Sequence, residues 1–213
     1  MSGRGVKPSL IFAVVALAML LGVGLAVYAA RRPPPLPVHW SVPQFTLIDQ
    51  HGDTARSRDL AGTAWLVDFF FTNCTGVCPL LTARMAALRD TLAAEGLLPG
   101  RVRLVSITVD PDRDTPDALR AYAKPFGDPP PEQWAFLSGL PGDAIRELIQ
   151  RGFHLTAVDP GATPDDPPQG YQIMHSPRIL LVDGDSRVRG LYDGREADIV
   201  ATITADVARL LQE

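Results

Sequence analysis

The apolar positions after residue 42 follow strand and helix patterns in alternation. A nearly continuous apolar run at residues 65–71 predicts a strand buried on both faces. Residues 79–94 have the spacing of an amphipathic helix that Gly96 would end, and the alternation at residues 102–109 predicts a second strand. Further elements are predicted as strands at 45–49 and 134–137, helices at 115–124, 143–151 and 197–211, a hairpin at 179–192 and an inserted loop at 157–170. Strands that alternate with helices, followed by a hairpin and a last helix, predict an α/β fold of the thioredoxin-like sandwich type.

The first thirty residues carry a long apolar run instead. The 23 residues from Pro8 to Ala30 include no charged side chain, and about 20 apolar residues suffice to cross a bilayer. We therefore expect one N-terminal transmembrane helix. A cleaved signal peptide is the alternative, although its apolar region is typically shorter, at about 7–15 residues. The expected organisation is a short basic segment at 1–7, a transmembrane anchor at 8–30, a proline-rich spacer at 31–42 and one folded domain at 43–213.

Composition and charge narrow the classes of function. Hydrophobic residues make up 46% of the chain and charged residues 21%, which argues against an intrinsically disordered protein. Four of the 20 basic residues and none of the 24 acidic residues lie in residues 1–48, so the rest of the chain has a formal charge of −8. This acidic balance argues against nucleic acid as a partner and favours a soluble, monomeric domain.

The two cysteines, Cys74 and Cys78, lie in the turn between the first buried strand and the long helix. Ligands of α/β proteins bind at the carboxyl ends of the strands. Because Pro79 marks the helix start, Cys78 would lie at the positive end of the helix dipole, and we expect a stabilised thiolate there. Side chains four residues apart on a helical turn have Cβ atoms about 5–6 Å apart. The pair can therefore chelate one metal ion or close as a disulfide.

Two thiolates select soft metal chemistry, which means Cu(I), zinc or iron–sulfur clusters. A structural zinc site needs four protein ligands, and the sequence has no second cysteine pair. Copper can be held by three ligands, so a site made by Cys74, Cys78 and one histidine would suit it.

Of the four histidines, His175 is the candidate third ligand. It opens the strand predicted near residue 178, and in a thioredoxin-type fold the loop that enters this strand lies against the cysteine turn. His39 and His51 are expected to be solvated, and His154 to be a satisfied strand histidine. Met174 is a candidate fourth soft ligand, but strand alternation would point it away from His175, which favours a packing role.

Three blocks of the sequence, taken together in this order, resemble the Sco/SenC family of copper chaperones for cytochrome c oxidase. They are FFTNCTGVCP at residues 70–79, SITVDPDRDTP at 106–116 and HS at 175–176. The resemblance implies a thioredoxin-like fold that binds one copper, as Cu(I) or Cu(II), through Cys74, Cys78 and His175. It also implies delivery of that copper to the dinuclear copper centre of the oxidase. The partner would be the copper-accepting subunit, with the chain anchored in the inner membrane and its domain in the periplasm.

Two functions remain open for the cysteine pair. One is copper delivery by ligand exchange, and the other is a thiol-disulfide oxidoreductase that reduces the cysteines of a partner protein. A peroxidase is less well supported, because that chemistry needs one reactive thiolate and neither a second cysteine nor His175. Asp110, Asp112 and Asp114 follow a strand end. They could line the site or form a charged turn, and none is assigned as a metal ligand.

Overall fold

The computed structural model describes residues 12, 17–24, 33–139, 141–155 and 177–213. The predictions that fall outside these residues are the basic segment at 1–7, most of the anchor at 8–30, the inserted loop at 157–170, Met174 and the predicted ligand His175.

The chain divides into two compact units, Met1–Pro35 and Leu36–Glu213. In the first unit, residues 17–24 are helical. None of the helices that the structure describes combines the length and the apolar character required of a membrane span. The transmembrane helix expected at residues 8–30 stays a prediction.

The second unit is built from short strands and helices in alternation. The strands are β1 (Thr46–Ile48), β2 (Thr54–Arg56), β3 (Ala64–Phe70), β4 (Val102–Thr108), β5 (Trp134–Leu137), β6 (Arg178–Val182) and β7 (Val188–Asp193). The helices are α1 (Cys78–Ala94), α2 (Pro116–Ala123), α3 (Gly142–Glu147) and α4 (Ile199–Leu210), with a π-helical turn at Leu148–Gly152 after α3.

The main sheet has the strand order β5-β4-β3-β6-β7. Strand β3 pairs in parallel with β4, and β4 with β5, whereas β3–β6 and β6–β7 are antiparallel. All seven residues of β3 are buried, because the strand has neighbours on both edges and packed layers on both faces. The apolar run predicted as a doubly buried strand is therefore confirmed.

Helix α1 supplies the crossover that the parallel pair β3–β4 requires. It packs on both strands and beside α4. Its inward face is fully buried, and each of these side chains contributes about 1.5–3 kcal/mol of burial free energy. They are Leu81, Met85, Leu88 and Leu92. The rigid packing of this face fixes the first turn of the helix, where Cys78 lies.

Two predictions need correction. His154 does not lie in a strand: it is exposed, has a backbone φ of 51°, and stacks on the ring of Trp40 at a centroid distance of 4.6 Å. The π-helical turn at Leu148–Gly152 comes directly before this segment, and none of the described strands includes His154. Residues 36–42 belong to the folded unit instead of a free spacer, since Leu36 and Val42 are buried in its core.

Candidate metal centre

The cysteine turn joins the end of β3 to the start of α1. The backbone N–H of Cys74 donates to the carbonyl oxygen of Phe71 at 3.2 Å, which makes a tight turn directly after the strand. Cys78 is the first residue of α1, with Pro79 in the first helical turn, where proline's missing N–H costs no helical hydrogen bond. Cys74 is half-buried and Cys78 is fully buried.

Neither Cys74 nor Cys78 is in a disulfide, and their side chains are hydrogen-bonded to each other. The four-residue spacing predicts this proximity for a helical turn; the side chains do meet, although residues 74–77 precede the helix and the contact is made by the turn. A thiol pair in contact is the arrangement that a soft ion bridges, or that oxidation closes as a disulfide.

Burial raises the pKa of the Cys78 thiol well above its ordinary value, and the hydrogen bond with Cys74 adds to the increase. A backbone hydrogen bond at Phe71 acts in the opposite direction. The expectation of a stabilised thiolate at Cys78 is therefore wrong, because loss of hydration outweighs the helix N-terminus. A metal that binds here must displace a proton from this sulfur.

A buried carboxyl group on β3 influences the same thiol. Asp68 is fully buried, and the hydroxyl of Ser106 donates to its Oδ1. The indole N–H of Trp134 donates to Ser106 Oγ at 2.9 Å. Burial raises the pKa of Asp68 to about 7, and the carboxylate in turn raises the pKa of Cys78. Sequence reasoning missed Asp68, although one acid within the apolar run of residues 65–71 was a visible signal.

The first turn of α1 is also fixed from the side of α2. The hydroxyl of Thr82 donates to the carbonyl oxygen of Cys78 at 2.9 Å and lies 2.7 Å from the hydroxyl of Tyr122. The Tyr122 ring stacks on Phe70, the last residue of β3, at 4.9 Å. Burial raises the pKa of Tyr122, so its phenol is neutral near neutral pH. These contacts hold Cys78 between β3 and α2.

The acidic segment after β4 approaches the same turn. Asp114 is buried and accepts hydrogen bonds from the backbone and hydroxyl of Thr72 and from the hydroxyl of Thr108. Asp110 is buried and pairs with Arg113 at 3.2 Å, whereas Asp112 is exposed. Of the two alternatives that the sequence left open, the structure thus places one carboxylate, that of Asp114, in contact with the cysteine turn.

The described chain resumes at Pro177, two residues after His175. The backbone N–H of Gly194 donates to the carbonyl oxygen of Pro177 at 2.8 Å. A Cβ at Gly194 would lie 2.2 Å from Leu81 Cδ2 and 3.3 Å from that same oxygen. Pro177 therefore lies beside the first turn of α1. Within the described residues, no three His, Cys, Asp or Glu side chains form a group that could hold a metal ion.

Comparison with known proteins gives one consistent family. The SCO1/SenC family model matches residues 38–212. The SCO1 protein homolog of Bacillus subtilis (strain 168) is 33% identical over 174 residues, which cover 80% of this chain and 83% of that protein.

Solved structures show the same likeness. A SCO1/SenC family lipoprotein from Bacillus anthracis str. Ames matches with a TM-score of 0.72 and 31% identity, over 82% of this chain and 97% of that one. BsSco, a Sco-family cytochrome c oxidase assembly protein with a disulfide switch, matches with a TM-score of 0.69 and 30% identity, over 83% of this chain and 98% of that one. Bradyrhizobium japonicum ScoI with copper bound matches with a TM-score of 0.64 and 25% identity, over 80% of this chain and 99% of that one. These likenesses confirm the predicted thioredoxin-like fold.

Proposed function

This chain belongs to the SCO1/SenC family, and we propose that it is a membrane-anchored metallochaperone that delivers copper to the dinuclear copper centre of cytochrome c oxidase. The family is linked to copper and to assembly of this oxidase. In the proposal, the partner is the copper-accepting subunit of the oxidase. The observation that carries the proposal is the contact between the reduced thiols of Cys74 and Cys78 after the end of β3.

The third proposed ligand is His175. Pro177 lies beside the first turn of α1, as the close approach of Gly194 to Leu81 and to the Pro177 oxygen indicates. His175 precedes Pro177 by two residues in the sequence, and this short separation supports its proposal as the imidazole ligand.

The donor set suits copper in both oxidation states. Two thiolates are soft and match Cu(I), and an imidazole nitrogen favours Cu(II), which prefers more ligands. Binding of either ion replaces thiol protons, because the ligand is the thiolate. The raised pKa of Cys78 makes this proton release part of the binding equilibrium, so copper affinity is expected to increase with pH.

The proposed location follows from the uncharged run at residues 8–30. It anchors the chain in the inner membrane as a single span, with the folded unit in the periplasm. The full-length protein should stay in the membrane fraction after a carbonate wash. Protection of residues 40–213 from protease in intact spheroplasts would place the domain on the wrong side and contradict this topology.

The test of copper binding uses reduced, full-length protein in detergent. We expect one Cu(I) per chain, and we expect Cys74→Ser and Cys78→Ser each to abolish tight binding, because one thiolate cannot chelate and a hydroxyl is a hard ligand. His51→Ala, which changes an exposed histidine in a turn, is the matched control and should bind like the wild type. Copper retained at full stoichiometry in either serine variant would refute the site.

A thiol-disulfide oxidoreductase is the second candidate, supported by the same pair of reduced thiols in contact. In that reaction Cys74 and Cys78 form a disulfide, while two electrons and two protons pass to the disulfide of the partner. His175→Ala separates the two functions. A reductase should keep its exchange rate, whereas a metallochaperone should lose affinity, more for Cu(II) than for Cu(I). Unchanged affinity for both ions, with oxidase activity intact in cells, would favour the reductase.

A further inference from the structure

We infer that Asp114 is a positioning residue that holds the cysteine turn in the geometry needed to bind metal. The inference rests on the proposed function of Cys74 and Cys78. In this arrangement one buried carboxylate, on the segment after β4, holds the segment after β3 by hydrogen bonds.

Within the described residues, the hydrogen bonds that the Asp114 carboxylate accepts come from the segment after β3 and from the last residue of β4. The backbone N–H of Thr72 donates to its two carboxylate oxygens at 3.3 and 3.1 Å, and the hydroxyl of Thr72 donates to Oδ1 at 2.5 Å. The hydroxyl of Thr108 donates to Oδ2. Asp114 is 1% exposed, so these donors replace the water that a carboxylate otherwise requires.

Thr72 and Thr108 lie near the carboxyl ends of adjacent parallel strands. Thr108 is the last residue of β4 and pairs with Phe70 of β3, and Thr72 follows Phe70 by two residues. Thr72 also precedes Cys74 by two residues. The carboxylate therefore acts on the turn at the point where the chain leaves the sheet, before it reaches the first sulfur.

Asp114 is itself held in place on its own side. Its backbone N–H donates to the carbonyl oxygen of Asp110 at 2.9 Å, and the N–H of Asp110 donates to Thr108 Oγ1 at 3.0 Å. Thr115, the next residue, caps α2 by accepting from the N–H of Ala118 at 3.3 Å. The position of the carboxylate is thus set by β4 and α2. Its hydrogen bonds with Thr72 then fix the start of the cysteine turn relative to these two elements.

The near relatives of aspartate fit this position less well. An asparagine would replace one carboxylate oxygen by an NH2 donor, so Thr72 or Thr108 loses its charged acceptor and a hydroxyl must rotate to accept instead. A glutamate would add a methylene group in a fully buried space. Hydrogen bonds to a charged acceptor are worth more than neutral ones, so the asparagine variant should release the turn.

A released turn must be ordered again when the two sulfurs bind one ion, and this ordering lowers affinity. We expect Asp114→Asn to weaken copper binding about tenfold, the effect of losing one charge-assisted hydrogen bond. The same loosening should shift the equilibrium between the dithiol and the disulfide, since disulfide formation also requires both sulfurs at a set separation.

The experiment compares Asp114→Asn with Asp183→Asn in reduced full-length protein. Asp183 is also buried and accepts backbone hydrogen bonds, from Asp185 at 3.0 Å and Arg187 at 2.9 Å, but in the turn between β6 and β7. The measurements are copper affinity, the Cu(II)–thiolate absorption spectrum, the thermal unfolding midpoint and the dithiol–disulfide constant in glutathione buffer. That constant describes the dithiol plus oxidised glutathione giving the disulfide plus two reduced glutathione molecules.

We expect both variants to unfold at lower temperature and Asp114→Asn alone to change the copper affinity, the spectrum and the glutathione constant. A merely structural role would change the unfolding midpoint of both variants and leave the three other readouts equal to those of the wild type, which overturns the inference. If the wild type binds no copper, the proposed function fails. The glutathione constant then decides the role of Asp114 by itself, and equality with the wild type overturns it.

Two substitutions at Thr72 keep the test decisive if Asp114→Asn fails to fold. Thr72→Val keeps the shape of the side chain and removes the hydroxyl donor, so affinity should fall about threefold. Thr72→Ser keeps that donor and should recover most of the loss. In a double-mutant cycle, Thr72→Val should cost less in the Asp114→Asn background than in the wild type. Strictly additive effects, or equal affinity for the valine and serine variants, count against the inference.

Discussion

Two buried aspartates, Asp68 at the cysteine end of the sheet and Asp183 at the opposite end, are held by different partners. Asp68 accepts from the neutral hydroxyl of Ser106, and burial raises its pKa to about 7. Burial alone would also raise the pKa of Asp183. Hydrogen bonds from the backbone of Arg187 and from the guanidinium of Arg189 hold it below the ordinary value instead.

The opposite pKa shifts of Asp68 and Asp183 distinguish the two ends of the sheet chemically. A carboxylate that is paired with arginine keeps its charge and joins chain segments. A carboxyl group that has only neutral hydrogen-bond donors can lose its charge, and when ionised it raises the pKa of the nearby Cys78 thiol. The end with Asp183 is a fixed structural junction, and the end with Asp68 is an environment in which protonation can change.

The largest effect should come from the structural end. Arg189 is 6% exposed at its side chain and pairs with Asp183 at 3.0 Å and with Glu213. Arg189→Ala leaves both carboxylates without this partner, so we expect a loss of about 3–5 kcal/mol in the free energy of unfolding. Urea unfolding at pH 7 measures it.

That loss should become smaller on acidification. A carboxyl whose pKa is lowered in the folded state stabilises the fold above its unfolded pKa, and the contribution disappears as the pH falls. Copper stoichiometry should be unchanged in Arg189→Ala. A lower stoichiometry in folded protein would break the proposed separation between the two ends.

Asp68→Asn should increase the free energy of unfolding, whereas Arg189→Ala lowers it. The raised pKa of Asp68 means that the folded state opposes ionisation, so wild-type stability falls as the pH rises from about 4 to about 7. The asparagine variant has no charge to bury. We expect it to be more stable by about 2–4 kcal/mol at pH 8, because one unit of pKa shift equals about 1.4 kcal/mol.

At pH 4 the difference in stability should be small, since the carboxyl group is then protonated in the folded chain and only about half ionised in the unfolded chain. Urea titrations at pH 4, 6 and 8 give the comparison. A constant difference at all three pH values would show that Asp68 is not the titrating group.

Gly194→Ala should give a smaller loss at the cysteine end. The added Cβ would lie 2.2 Å from Leu81 Cδ2, and overpacking of this kind costs about 1–3 kcal/mol. Because the shift acts on the first turn of α1, copper affinity should also fall. A variant that loses stability and keeps wild-type affinity would show that the contact between β7 and α1 does not support the metal centre.

The smallest effect is expected at His154. Its stacking on Trp40 is worth about 0.5–1.5 kcal/mol, while its positive φ costs about 1–2 kcal/mol for a residue with a Cβ. His154→Ala should therefore lose about 1 kcal/mol, and His154→Gly should be nearly neutral. Both variants should bind copper like the wild type, and thermal unfolding with copper titration tests this.

The elements at the centre of the fold could be predicted from the sequence because their signal is local. The apolar run at residues 65–71 became β3 (Ala64–Phe70), and the spacing at 79–94 became α1, which begins one residue earlier, at Cys78. The four-residue spacing of the cysteines also predicted that their side chains meet. In each case a few consecutive residues carry the information.

The errors and omissions concern quantities that distant segments set. Burial of Cys78 depends on the layers packed around it, so its raised pKa could not be predicted from a helix start. His154 was predicted as a strand residue from its apolar neighbours, but its conformation is set by the preceding π-helical turn and by stacking on the distant Trp40. Asp114 acts through Thr72, which lies 42 residues away in the chain, and no local pattern joins them. His175 stays a prediction.

Residues 36–42 cover the outer edge of β7. The N–H of His39 donates to the Val188 oxygen, the N–H of Val188 donates to the Trp40 oxygen, and Ser41 bridges to Arg187. An uncovered strand edge offers unpaired backbone groups to other chains and promotes sheet-to-sheet aggregation. A chain that starts at residue 43 would expose this edge, so the soluble form suited to concentrated samples is one that keeps the segment from Leu36 onward.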